Sequence, residues 1–326
     1  MAGVHILFTL FATVLPVFGL MAVGFGLRLF QWLTREGDQS LLRVCVNLLL
    51  PALIFDSVLG NRALQRPENL VLPPLVGVLM VLAGLAVAWL AAPCTGLASA
   101  GERRTFVLTA GLQNYSYVPL PLCLQLFDPG TVGVLLVQVV GAEVTLWTVG
   151  IAVLSGGGWQ GSWRRVLNAP LLALILALIL NGLSRHFPPP EFLLAPGRVL
   201  LTALHWLGQS AIPLALLIIG AVVADHLPEM RGGRCAQVMA MAVVVRLLVM
   251  PVLFMLLAKY LPCSTELRRV IVVEGAMSSA VLPIALTKHY GGDPRTALQV
   301  VLCTSLAGLL TIPLWIEGGG RLAGLW

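Results

Sequence analysis

The residues of this chain best suited to chemistry sit where an apolar span should not tolerate them. One group is Gln113, Asn114, Tyr115, Ser116, Tyr117, Val118, Pro119, Leu120 and Pro121; the other runs Glu274, Gly275, Ala276, Met277, Ser278, Ser279, Ala280, Val281, Leu282 and Pro283. Proline deletes an amide donor and clashes with the carbonyl four residues back, so Pro119 and Pro121 should free carbonyls near Tyr115 and Tyr117. Freed carbonyls can coordinate a cation, and the amides that open the next half-helix can hold an anion. On this reading Asn114, Tyr115, Ser116, Pro119 and Pro121 form one half of a substrate site. Ser278, Ser279 and Pro283 form the other half, with Asn114 and Ser278 as side-chain donors.

Ionisable groups at bilayer depth cost at least about 2.5 kcal/mol on insertion scales, so each is a functional candidate. Glu274 lies one turn before the second break and is a coupling candidate: a carboxylate beside broken backbone can bind Na+ or take up H+. Glu143, central in its span, is a second. Arg246 has the planar fork that suits a substrate carboxylate, and a structural pair with Glu143 or Glu274 is the alternative. Asp56 sits toward a span end, and His205 reads as a core or interface histidine.

The elements that must position these residues are membrane helices. The 326 residues are 58% hydrophobic and only 10% charged, against about 25% charged in soluble domains. At about 20 apolar residues per span, ten spans fit: 5–28, 41–60, 70–92, 104–127, 131–155, 167–185, 198–224, 236–259, 268–289 and 296–316. Little sequence is left for an extramembrane domain, and the first apolar stretch reads as a retained helix. The six cysteines show no metal or disulfide spacing. The formal charge of +6 sits at span ends, where it sets topology instead of attracting nucleic acid. Trp32, Trp89, Trp159, Trp163, Trp206, Trp315 and Trp326 read mostly as interface belt residues. Metalloprotease, nucleophile-elbow and phosphate-loop patterns are absent, so no enzyme and no resident cofactor are expected.

The two interruptions belong to a repeat. Glu102, Arg104, Gly111 and Pro119 return 164 residues later as Glu266, Arg268, Gly275 and Pro283. Pro51 returns as Pro213, and Asp128 with Pro129 as Asp293 with Pro294. A unit of five spans is odd, so residues 1–160 and 161–326 should form two inverted repeats with the site between them. Lys and Arg divide eleven to eight between the two faces. The larger group includes Arg28, Arg103, Arg164, Arg165, Arg231, Arg234 and Arg295, which places both termini outside the cytoplasm.

Four segments carry a family resemblance: NYSYVPLP (114–121), LTKHYGGDP (286–294), LPALIF (50–55) and IPLALLIIGA (212–221). The chain resembles the auxin efflux carrier family over nearly its whole length. The resemblance implies ten helices in two inverted five-helix repeats, the fourth and ninth broken and crossed at the site, and export or exchange of organic acids. Asn114 and Pro121 match the ends of the family's fourth-helix pattern, while Pro119 stands where glycine is common. Ser278 replaces a frequent ninth-helix proline, so that helix is expected to be less sharply broken. A more distant similarity, of Glu274 to Ser278 with bile acid sodium symporters, implies Na+ held by Glu274 and Asn114. The expectation is thus a secondary carrier for a small organic anion, coupled to Na+ or H+. It would work by alternating access in the cell membrane's lipid bilayer, as a monomer or homodimer. The competing class is a ligand sensor or scaffold using the same crossing.

Overall fold

The computed structural model describes residues 2–157, 167–186, 191–226 and 236–326. The 160/161 repeat boundary, Trp159, Trp163, Arg164, Arg165, Arg231 and Arg234 lie outside the described residues. The described residues are mostly helical, with one isolated β-bridge and no strand.

Among the described residues, twelve helices follow in order besides a short 3-10 turn at Arg62–Gln65. They are α1 (Ala2–Leu29), α2 (Arg35–Val58), α3 (Glu68–Thr95), α4 (Ala100–Gly111), α5 (Pro119–Leu126) and α6 (Pro129–Ser155). Then come α7 (Ala169–His186), α8 (Glu191–His226), α9 (Ala236–Tyr260), α10 (Thr265–Gly275), α11 (Leu282–Tyr290) and α12 (Pro294–Leu322). Seven of these carry segments long and apolar enough to cross a membrane by length and composition. The chain is a multi-pass membrane protein.

Two segments behave differently. Helix α4 has 12 residues, a rise of about 18 Å against a hydrocarbon core of about 30 Å. It stops at Gly111, and the chain resumes as α5 only at Pro119. Helix α10 stops at Gly275, and α11 begins at Leu282. The second break is therefore as complete as the first, contrary to the expectation from Ser278. A non-helical stretch from 276 to 281 does not need proline at its centre, because Ala276 and Met277 fold their amides back onto Val272, Val273 and Glu274 carbonyls. The prolines also act differently from expectation. Pro119 and Pro283 occupy the first or second position of the half-helix that follows, where a missing amide costs nothing. They start helices; the break lies before them.

The outer ends of the repeat are capping chemistry. Ser99 and Ser264 cap α4 and α10, Ser99 in a reciprocal capping box with Glu102. Asp128 and Asp293 cap α6 and α12, each followed by proline at the first helical turn.

Packing sorts the helices into two bundles. Helices α1, α2, α7 and α8 pack on one another, while α3, α4, α6, α9, α10 and α12 form the second group. Each bundle thus draws helices from both halves of the sequence. Within the second, α3 crosses the end of α4 backbone to backbone: a Cβ on Gly84 would collide with the Gly111 carbonyl, and one on Gly111 with Gly84.

Candidate functional site

The two breaks meet. Gln113 and Ser279 form an antiparallel bridge, with Asn114 N donating to Ser278 O at 2.9 Å and Ala280 N to Leu112 O at 3.0 Å. These bonds satisfy amides and carbonyls that the helix ends release, which lipid could not do. Ser279 N also donates to Thr304 Oγ1 of α12 at 3.3 Å. Non-helical backbone at this depth is thus secured by protein on both sides.

One side of the crossing faces a cavity of about 330 Å³, within the range of small-molecule sites. It lies between the bundles. Cys45, Leu53, Leu174 and Ile218 line one wall; Asn114, Tyr115, Ser116, Tyr117, Glu143 and Leu282 are on the other. Most of the wall is apolar, and Glu143 is the charged side chain in it. Asn114 Oδ1 accepts from Val118 N at 3.4 Å, a bond that does not use its amide nitrogen. Tyr115 Oη donates to Glu143 Oε1 at 2.8 Å, and Trp147 Nε1 donates to Glu143 Oε2 at 2.7 Å. The carboxylate is therefore tied to the broken segment.

The other side is a closed polar cluster. Glu274 is fully buried, and its Oε2 accepts from Gln138 Nε2 at 2.8 Å and Gln113 Nε2 at 3.4 Å. Arg246 is also fully buried, with Nη1 donating to the Gly111 carbonyl at 3.2 Å and its guanidinium 5.8 Å from the Phe254 ring centroid. It rides on a π-turn, Val245–Val249, just before Pro251. That proline cannot bond the Leu247 carbonyl, and Trp315 Nε1 donates to it instead at 2.8 Å.

The structure thus divides the residues singled out in the sequence. Asn114, Tyr115, Ser116 and Glu143 line the cavity. Ser278, Ser279, Pro119, Pro121 and Pro283 are buried in the framework of the crossing. Arg246 and Glu274 lie outside the cavity wall, so the pair implied for sodium, Glu274 with Asn114, is split between the two sides. The expected half-helix amides are also partly spent at α5, because Val118 N and Leu120 N have partners and Pro119 and Pro121 have no N–H. Sequence reasoning missed Gln113, Tyr117, Gln138 and Trp147. Gln113 lay inside the marked segment, and Trp147 follows Glu143 at +4, a spacing that puts both on one helix face; Gln138, at −5, is off that face and carries no such signal. Trp315, expected in the interface belt, instead closes the α9 turn. His205 pairs with Asp56 at 3.0 Å on a more exposed face, far in sequence from either break.

On the face away from the cavity mouth, polar contacts tie the α2–α3 connection to α6 and α10. Asn61 Nδ2 donates to Pro129 O at 2.8 Å, Arg66 pairs with Glu266 at 3.6 Å, and Ser264 Oγ donates to Asn69 Oδ1 at 2.5 Å. Arg269 pairs with Asp128 and reaches Thr131 Oγ1 at 3.2 Å. Leu42, Asn168 and Val222 mark the cavity's extension toward the opposite face.

Interrupted helices locked back to back beside an apolar cavity, among helices long and apolar enough to span a bilayer, define a multi-pass membrane protein. The chain belongs to the family described as membrane transport protein, the auxin efflux carrier group that its motifs resemble; the family pattern matches residues 9–161 and again 159–316. It is 26% identical over 308 residues to an uncharacterized transporter of Methanothermobacter thermautotrophicus, covering 93% of this chain and 96% of that protein. It is 23% identical over 309 residues to an uncharacterized transporter of Methanocaldococcus jannaschii, again over 93% and 96% of the two chains. The chain is a membrane transporter, the class to which its family and both relatives are assigned.

Proposed function

We propose that the protein is a secondary carrier for a small organic anion with an apolar body, working by alternating access. The observation that carries this reading is the crossing itself. The first broken segment, bonded to the second, presents Asn114, Ser116 and Tyr117 to a cavity between the two bundles. A carboxylate would be received by the Asn114 amide, the Ser116 and Tyr117 hydroxyls and the α11 opening at Val281 and Leu282, where the helix end is partially positive. Leucine and isoleucine side chains would hold its body. The architecture proposed is ten crossings in two inverted repeats. The broken pairs α4–α5 and α10–α11 count as one crossing each, and Ala169–Ser184 supplies the short sixth.

Glu143 is the proposed coupling group. It lies in the cavity wall and is bonded to Tyr115 of the broken segment, so its protonation and the crossing's geometry bear on each other. An anion entering beside it brings two negative charges together, a repulsion that a proton on Glu143 removes. Coupling to H+ follows. The proposed orientation has the cavity mouth cytoplasmic in the cell membrane, the opposite face latched by the contacts of Asn61, Arg66 and Arg269.

The same charge favours a second reading, a cationic substrate neutralised by Glu143. Uptake of labelled organic acids and organic amines into proteoliposomes, with and without an inward proton gradient, separates the two. Gradient-stimulated acid uptake supports the anion carrier. Amine uptake that acids do not inhibit would replace it.

A further inference from the structure

We propose that Arg246 is the built-in counterion of the crossing, standing where an exchangeable cation would otherwise be needed, so that this carrier works without sodium. The inference rests on the carrier reading and assigns its ion requirement.

The crossing gathers charge of both signs. The C-terminal ends of α4 and α10 meet there, each equivalent to about half a negative charge, and Glu274 adds a full one. The opening ends of α5 and α11 return about half a positive charge each. What remains uncompensated is the carboxylate, and the Arg246 guanidinium supplies the matching charge. A bound sodium ion would leave the cluster with a net positive charge in a fully buried site, where unbalanced charge is costly.

The position of Arg246 fits this role. Its Nη1 takes the Gly111 carbonyl, the last helical residue before the first break, which is the type of oxygen a cation would coordinate. Arg246 and Glu274 lie within electrostatic reach without pairing directly: Glu274 Oε2 is held by Gln113 and Gln138, while Glu274 Oε1, Arg246 Nε and Arg246 Nη2 have no hydrogen-bond partner among the described residues. Both charges are thus attached to the two breaks separately, Arg246 to Gly111 and Glu274 to the end of its own half-helix. The guanidinium is fixed by Phe254 and by the π-turn that Pro251 imposes. It is a positioning residue, outside the cavity.

The test uses the purified full-length protein and compares wild type, Arg246→Ala and Arg246→Lys in sodium chloride, choline chloride and low millimolar guanidinium chloride at equal ionic strength. Melting temperature is read first. Wild type should melt at the same temperature in sodium and choline. Arg246→Ala should lose several degrees and recover part of them with guanidinium or sodium, and Arg246→Lys should keep most of the stability. Sodium-specific stabilisation of the wild type would overturn the proposal, as would an Arg246→Ala protein indifferent to every cation. If Arg246→Ala does not fold, a folded, sodium-indifferent Arg246→Lys still supports the proposal, and a sodium-requiring one overturns it. Uptake in the same salts is read second. If no transport is found, the carrier reading fails, while the melting data still decide the role of Arg246.

Discussion

Asn114 and Glu143 do different work within one cavity wall. Asn114 has its oxygen committed to Val118 N and its nitrogen unused by that bond, so its replacement removes a ligand donor at the cost of one long backbone bond. Asn114→Ala should abolish uptake while lowering the melting temperature only slightly, checked by pairing transport with thermal unfolding. Glu143 holds two donors, Tyr115 and Trp147, that a glutamine can only partly satisfy. Glu143→Gln fixes the neutral form, so it should lose stimulation by a proton gradient yet retain exchange of internal for external substrate. Retained gradient stimulation would remove Glu143 from coupling. The two buried glutamines illustrate what single-sequence reading leaves out. A charge in a span announces itself by its cost, whereas Gln113 and Gln138 are neutral and gain meaning only once folding places both on Glu274.

At the scale of helices, the breaks were legible because helical termination is local chemistry. The recurring glycines, prolines and Asp-Pro pairs mark where four half-helices start and stop, and the structure adds the serine caps. The sharpness of the second break is less legible, because proline in a span reads as the cause of interruption, whereas here it opens the following helix, and Ala276 and Met277 end the preceding one by turning back on it. Nor could spacing reveal that α3 lies against Gly111 closely enough to exclude a Cβ. Because the clash is with backbone and not with a flexible side chain, Gly111→Leu should destabilise the fold strongly, by at least the 1–3 kcal/mol typical of overpacking. The check is a melting curve beside Gly26→Leu, whose site meets no neighbour within 4 Å and should tolerate the change.

For the whole molecule, the sequence halves are not the packing units. Bundles that mix both halves leave the cavity between them, and polar contacts join its far face. One of these contacts has a defined pH response. Partial burial would raise the Asp128 carboxyl, but the Thr131 amide and Arg269 outweigh it and hold the group below its ordinary value. A depressed folded value means the contribution is complete above the ordinary aspartate range, about 3.9, and is lost as pH falls through the lower folded value. The stability difference between wild type and Asp128→Asn should therefore be constant from neutral pH down to mildly acid conditions and vanish only in strong acid. A difference that shrinks near neutrality would contradict the assignment. Whether the cavity beside the crossing opens alternately to the two faces is decided by counterflow. Proteoliposomes are preloaded with an unlabelled organic acid, and entry of the labelled acid is followed with no ion gradient. Wild type should show a transient accumulation of label above its external concentration, and Asn114→Ala none. Binding of the acid by wild type without any such overshoot would show a receptor and not a carrier.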